Sequence, residues 1–344
     1  MRAHRIVTSQ QPAELCEVDM PEPGPGEVLL KVGGAGLCHS DLHLMHWPIP
    51  LAQAFTLGHE TAGWVEAVGA GVSGVELGES VLVHGAWGCG RCRRCQADLE
   101  QYCENRPVSL GSGCGLGCDG GLAEYLLVPA VRHLVPLGDL DPRVWAPLDD
   151  AALTPYHAMK RLLPLCTPDN WAMVVGIGGL GHAAVQLLKE LTGVRVLAVD
   201  IADDKLALAT ALGADAVVRA DAADAAAQVR DATRGQGVAA VLDCVGNDAT
   251  LQLAAASVHA ISHIVVVGIG MGTVAMGALN VPYETAISNT FWGNVTELRE
   301  IIALAQAGRF QLHVEQIALE DAADAYHRLE AGQVQGRVVA LPHG

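Results

Sequence analysis

The sequence predicts an α/β protein of two domains, one made mostly of strands and one of βαβ units on a parallel sheet. Three observations carry this. The chain has 344 residues, enough for two domains of ordinary size. Its first half reads as short apolar runs between glycines and prolines, as in EVLLKV, AGWVEAVGAGV, ESVLVHG and AEYLLVP. From Trp171 onward AMVVGIGGLG, VRVLAVD, AAVLDCVG and HIVVVGIG alternate with helical stretches.

Hydrophobic residues make up 51% and charged ones 17%, so a large core is expected and wholesale disorder is not. A formal charge of −17 argues against nucleic acid or an anionic membrane as a partner. The opening MRAHRIVTSQQPAELC lacks the apolar stretch of a secretory leader, and the expected compartment is the cytoplasm. Residues 171–188 and 264–279 superficially resemble membrane spans. Glycines punctuate both, so buried strands and a core helix are expected there instead.

Taken in chain order, the first candidates for chemistry are Cys38 in GLCHSDLH, His59 with Glu60 in GHE, and Asp149 and Asp150 in APLDDAALTPYH. A cysteine, a histidine and one carboxylate can hold a metal and leave its fourth position open. Spacing alone does not select them, because any single one is more often a core or surface residue.

Between these residues lies GCGRCRRCQADLEQYC, with Cys89, Cys92, Cys95 and Cys103 in a C-x2-C-x2-C-x7-C pattern. Four thiolates in one loop close a tetrahedral shell around Zn²⁺. An iron–sulfur cluster also wants four cysteines but at other spacings, and a reducing cytosol disfavours disulfides. Zinc is the favoured reading, and a closed shell makes it structural.

Gly176, Gly178 and Gly181 fit G-x-G-x-x-G after an apolar strand and before a helical stretch. That context supplies a tight turn, close backbone approach to a pyrophosphate and a helix N-terminus facing negative charge. The bland alternative is a glycine-rich turn with no ligand. Asp200 follows nineteen residues after Gly181, where a carboxylate accepts from ribose hydroxyls. Asp203 and Asp204 come next with no arginine nearby, so the expected cofactor is NAD, not NADP.

Cys38-x-Ser40-Asp41, Gly58-His59-Glu60, the four-cysteine lobe, the glycine loop and Asp200 appear in one order along the chain. Over essentially its whole length the sequence resembles the zinc-dependent medium-chain alcohol dehydrogenases, of the bacterial type acting on secondary alcohols and ketones. The resemblance implies a GroES-like catalytic domain over 1–151 and 289–344, with a structural-zinc lobe at 88–104. It implies a Rossmann domain over 152–288 and a substrate cleft between the two. It further implies two zinc ions per subunit and NAD. The catalytic zinc falls to Cys38, His59 and Asp150, with Asp149 as the fallback ligand. Asp41 orients His59, and Glu60 is an alternate ligand or a buried electrostatic neighbour.

Ser40 and His43 match a proton relay, although an exposed histidine on a short helix is an equal reading of His43. Thr154, Val245, Val267, Gly268 and Ile269 fall where relatives touch nicotinamide, while Gly179 and Leu180 complete the phosphate loop. His39, Lys205 and Arg337 match contacts to the adenosine ribose or pyrophosphate. Aromatic residues make up only 4% of the chain. Trp47, Phe55, Trp87, Phe291 and Trp292 are candidates to wall a pocket for a small hydrophobic alcohol or ketone, with core packing as the competing reading. The rivals are a polyol or amino-alcohol dehydrogenase, and a zinc-and-NAD redox sensor without turnover. Analogy suggests a homotetramer, with a dimer as the alternative.

Overall fold

Apolar runs with no polar relief become strands covered on both faces, and the second half of the chain is built from them. In the computed structural model, which describes residues 1–48, 53–105 and 113–344, every residue of strands Trp171–Val175 and Val238–Asp243 is buried. They lie at the centre of a six-stranded parallel sheet. Its order is Ala216–Arg219, Arg195–Asp200, Trp171–Val175, Val238–Asp243, Val258–Val266, Thr285–Asn289. Chain order reverses between the third and fourth strands of that series. The crevice beyond their carboxyl ends is therefore the topological switch point, where doubly wound sheets bind ligands. Residues 171–188, span-like in the sequence, divide into a strand and the helix Gly181–Leu191. No helix among the described residues is long and apolar enough to cross a membrane.

The chain divides into two compact units. One comprises Met1–Leu153, Trp292–Gly308 and Leu312–Gly344; the other comprises Thr154–Phe291 and Arg309–Gln311. The parallel sheet belongs to the second unit. Its core is drawn from Met173, Val175, Leu197, Val199, Val241 and Ile264.

The first unit is mostly strand. A seven-stranded sheet has Val28–Leu37 at its middle, paired antiparallel with Arg337–Leu341, Glu60–Val68 and Tyr125–Val128. Register sets up the site. Val338 lies opposite Leu37, and Gly36 lies opposite Glu60. Cys38, the His59-Glu60 pair and Arg337 therefore emerge at one end of three adjacent strands. Beside that end, one wide helical turn, Leu148–Ala152, carries both aspartates.

Candidate active site and metal centres

Asp41 organises the first cluster. It is the third residue of helix His39–His46, and its Oδ2 accepts from the Cys38 N–H at 2.9 Å, which closes the first turn. The same oxygen accepts from the Tyr326 hydroxyl at 2.8 Å, and Oδ1 lies 3.2 Å from His59 Nδ1. Asp41 is fully buried and His59 nearly so. With Nδ1 committed to Asp41, His59 presents Nε2 at 3.7 Å from Asp150 Oδ2. The Cys38 thiol lies 3.4 Å from that carboxylate oxygen.

Arg337 completes the group. Its guanidinium meets Glu60 Oε1 and Asp150 Oδ2, each at 2.8 Å, and the residue is 3% exposed. Burial pushes the Glu60 carboxyl up to about 8 even though Arg337 pulls it down. Burial also opposes charge on His59, but the Asp41 charge and bonds from Asp150, Asp41 and Cys38 outweigh it and hold the imidazole well above its ordinary range. One donor atom each from Cys38, His59, Glu60 and Asp150 lies within 4.8 Å of the others. Glu60 Oε2 is buried without a hydrogen-bond partner. A soft sulfur, an imidazole nitrogen and carboxylate oxygens within reach of one another, one of those oxygens buried and unbonded, fit a zinc ion.

Asp149 does not share this cluster. Its Oδ1 lies 3.0 Å from His84 Nδ1, and its Oδ2 accepts from the Gly85 N–H at 2.8 Å. The Trp292 indole N–H donates to the Asp149 carbonyl at 2.7 Å and reaches its carboxylate at 3.2 Å. With its acceptors filled, Asp149 braces its neighbour Asp150, and the fallback assignment is corrected on that ground. Trp292 is 4% exposed and packs edge-on to His59, with ring centres 5.8 Å apart. Its φ is +52°, a left-handed conformation rare for a bulky residue.

The second cluster is all sulfur. Cys92 Sγ lies 3.5 Å from Cys95 Sγ and 4.0 Å from Cys103 Sγ, and Cys89 Sγ lies 3.9 Å from Cys95 Sγ. A disulfide needs about 2.05 Å. A tetrahedron with Zn–S bonds of about 2.3 Å has edges of about 3.8 Å, so the spacing fits the metal. N–H groups support the thiolate form at Cys89 and Cys92, while burial pushes the Cys95 thiol up to about 12. The backbone at Arg91, the Asn105 amide and the backbone at Cys92 bring the Cys89 thiol down to about 6. Glu100 braces the loop by accepting from the Gly88 N–H at 2.7 Å and from Arg132 Nε at 3.0 Å.

In the second unit the glycine loop leaves the carboxyl end of Trp171–Val175. Gly176 has φ +84°, and a Cβ on Gly181 would stand 1.9 Å from the Gly176 carbonyl oxygen. Around Gly178 the space is open, as a pyrophosphate requires. Asp200 is 7% exposed; its Oδ2 accepts from the Ile177 N–H at 2.7 Å and its Oδ1 from the Ala202 N–H at 3.0 Å. Asp243, at the end of the neighbouring strand, was not singled out from the sequence. It gathers the N–H groups of Val245 and Gly246 on Oδ1, and those of Val267 and Gly268 on its carbonyl. Its only signal was a carboxylate closing the run AAVLDCVG.

Residues 24–139 match the family described as Alcohol dehydrogenase GroES-like domain, and 179–307 match Zinc-binding dehydrogenase. The NAD-dependent alcohol dehydrogenase of Sulfurisphaera tokodaii is 32% identical over 99% of this chain and 100% of its own. The alcohol dehydrogenase structure from the archaeon Aeropyrum pernix superposes with a TM-score of 0.93 at 37% identity, covering 99% of this chain and 100% of that one. The chain belongs to the zinc-binding alcohol dehydrogenases.

The similarity of this dehydrogenase spans differing substrates. Acetophenone reductase from Geotrichum candidum, solved in complex with NAD, superposes at a TM-score of 0.86 and 32% identity over 99% of this chain and 96% of that one. D-arabinose 1-dehydrogenase (NADP(+)) of Saccharolobus solfataricus is 31% identical over 96% of this chain and 95% of its own.

The remaining expected residues of the dehydrogenase are scattered in environment. Ser40 Oγ lies 3.6 Å from Cys38 Sγ. His43 stacks on Trp47 with ring centres 5.8 Å apart, and burial, then His46, lowers its pKa. His39 is exposed, Lys205, Val245 and Ile269 are half-buried, and Thr154 is buried. Phe55 is a correction to the pocket wall. It is 3% exposed, pairs with Ile6 across two strands and belongs to the hydrophobic core. Trp87 packs on His133, and Phe291 is 39% exposed in the other unit. Arg337, expected at cofactor phosphates, has its guanidinium on Glu60 and Asp150. The absence of an arginine near Asp200 is also corrected. Arg219 is its partner on the adjacent strand, a proximity that only sheet register reveals.

Proposed function

We propose that this alcohol dehydrogenase transfers a hydride between NAD(H) and a hydrophobic alcohol/ketone pair, secondary or aryl-substituted. The observation that carries the reading is the mixed cluster of Cys38, His59, Glu60 and Asp150, chemically unlike the closed thiol set. A zinc ion held by Cys38, His59 and Asp150 supplies Lewis acidity toward the substrate oxygen, and NAD(H) supplies or takes the hydride. The chain's own residues do the rest. Asp41 fixes the tautomer and direction of His59. Arg337 balances the carboxylates of Glu60 and Asp150. Ser40 and His43 offer a hydroxyl and an imidazole for moving the alcohol proton toward solvent. The four-cysteine lobe holds a second zinc as scaffold.

The aryl preference draws on the similarity to acetophenone reductase and on the aromatic Trp47 and Trp292 of the first unit. The similarity to D-arabinose 1-dehydrogenase favours a second reading, a polyol substrate. Incubating the protein with NAD and a panel of alcohols, and following NADH absorbance, separates the two. Secondary and aryl alcohols are expected to exceed polyols in kcat/KM by at least about a hundredfold, the scale on which unmatched hydroxyls are rejected. The reverse order selects the polyol reading. As a cytoplasmic homo-oligomer, tetramer before dimer, the chain would cover the exposed Ile261, Met276, Leu279 and Tyr283 near the sheet edge Thr285–Asn289.

A further inference from the structure

Arg219 closes strand Ala216–Arg219 directly beside Asp200, the residue assigned to the adenosine ribose. A cation there is what a 2′-phosphate normally takes, and its presence alone would predict NADP. Its nitrogens, however, are already engaged. Nε and Nη2 form a two-point contact with Asp221, at 2.9 and 2.7 Å, and Nη1 donates to Asp203 Oδ1 at 2.7 Å. Asp200 takes no part, since its oxygens accept from the backbone of Ile177 and Ala202.

We infer that Asp203 and Asp221 clamp Arg219 and thereby set the cofactor preference, so that a latent receptor for a 2′-phosphate is held closed by two carboxylates. This rests on the NAD(H) reading above and extends it from Asp200 to three further side chains. An incoming 2′-phosphate would have to displace both aspartates from Arg219. It would then stand as an anion among Asp200, Asp203 and Asp221 with one guanidinium to share. The ribose hydroxyls of NAD carry no charge and leave the clamp undisturbed. Selectivity on this account comes from competition among anions for one arginine, where the sequence suggested that no arginine was present. The three side chains are 41%, 82% and 52% exposed, so the pairs are individually weak in water and a strong anion can contest them once their charge is removed.

Calorimetry with ADP-ribose and 2′-phospho-ADP-ribose tests the clamp without turnover. The proteins are the parent, Asp203→Asn with Asp221→Asn, and that pair with Arg219→Gln added. The double variant is expected to bind 2′-phospho-ADP-ribose about tenfold or more tightly than the parent, the size of a charge-assisted contact. Its affinity for ADP-ribose should stay within about threefold, since the ribose hydroxyls meet Asp200. Adding Arg219→Gln should erase the gain, which shows that the arginine receives the phosphate. A gain that survives Arg219→Gln overturns the proposal, because simple loss of negative charge would then explain it. So does a double variant that melts like the parent, stays selective for ADP-ribose and gains nothing, and that outcome leaves the NAD(H) reading intact. A parent that takes both probes equally breaks the NAD(H) reading itself, and the clamp with it.

Discussion

Two clusters in one folding unit both gather cysteine, yet they are built on opposite plans. Around Cys89, Cys92, Cys95 and Cys103 the donors are alike, come from one short stretch of chain and are supported by backbone N–H groups. Around Cys38 the donors differ, come from three separate segments and are tied into buried charge through Arg337. The first plan offers a metal a closed shell of like donors, on which local structure would then depend. The second is held by protein contacts, with a hydrogen-bonded positive charge already in place, and so can leave a coordination position for chemistry. Shared ligand type therefore says little about role, whereas the origin and pairing of the donors say much.

The largest test of this contrast removes the charge that holds the mixed cluster. Arg337→Gln takes the shared guanidinium away from buried Glu60 and half-buried Asp150, a loss of roughly 3–5 kcal/mol. A urea midpoint equal to the parent's would show that the cluster is not held by its own ion pairs. Next comes Asp150→Ala, which is expected to lower kcat more than about a hundredfold, above the range for groups that only support a ligand. Zinc content should fall from two per subunit to one while melting changes little. Cys103→Ser should do the reverse, losing the other zinc with a drop of about 2 kcal/mol or more. For domains of this size that is a shift of roughly 4–8 °C in Tm, with turnover affected second. Should Cys103→Ser melt like the parent yet lose all turnover, the roles of the clusters exchange.

The smallest effect belongs to His43, near the mixed cluster but outside it. Burial and His46 lower its folded pKa, so the imidazole remains a neutral base below the ordinary 6.5. Its contribution to stability is complete above that value and declines as pH falls toward the lowered pKa, where the unfolded chain binds the extra proton. His43→Ala is expected to slow alcohol oxidation about tenfold, most on the acid side, where bulk base is scarce. A pH–rate profile superimposable on the parent's would make His43 a surface residue only.

What could be read in the sequence divides along the same line. The glycine loop and the four-thiol lobe are compact in sequence, so spacing alone conveys their geometry. Apolar runs such as VRVLAVD show the parallel sheet because strands buried on both faces need no polar alternation. Contacts across the chain left no such trace. Tyr326 meets Asp41 from 285 residues away, and Arg337 meets Glu60 across 277. Phe55 read as a pocket wall because it precedes GHE, but the strand it occupies turns its ring into the core. Arg219 was invisible because its nearness to Asp200 is a matter of strand register, nineteen residues along the chain.

The left-handed backbone of Trp292 bears on any attempt to redesign the protein. A non-glycine residue there costs about 1–2 kcal/mol, which the indole offsets through its bonds to Asp149. Alanine at this position would keep the strain and lose the anchor. Glycine would lose the anchor but release the strain, and so starts from a sounder fold. A library meant to free space beside His59 should therefore be seeded from Trp292→Gly, with the customary alanine scan as the poorer beginning.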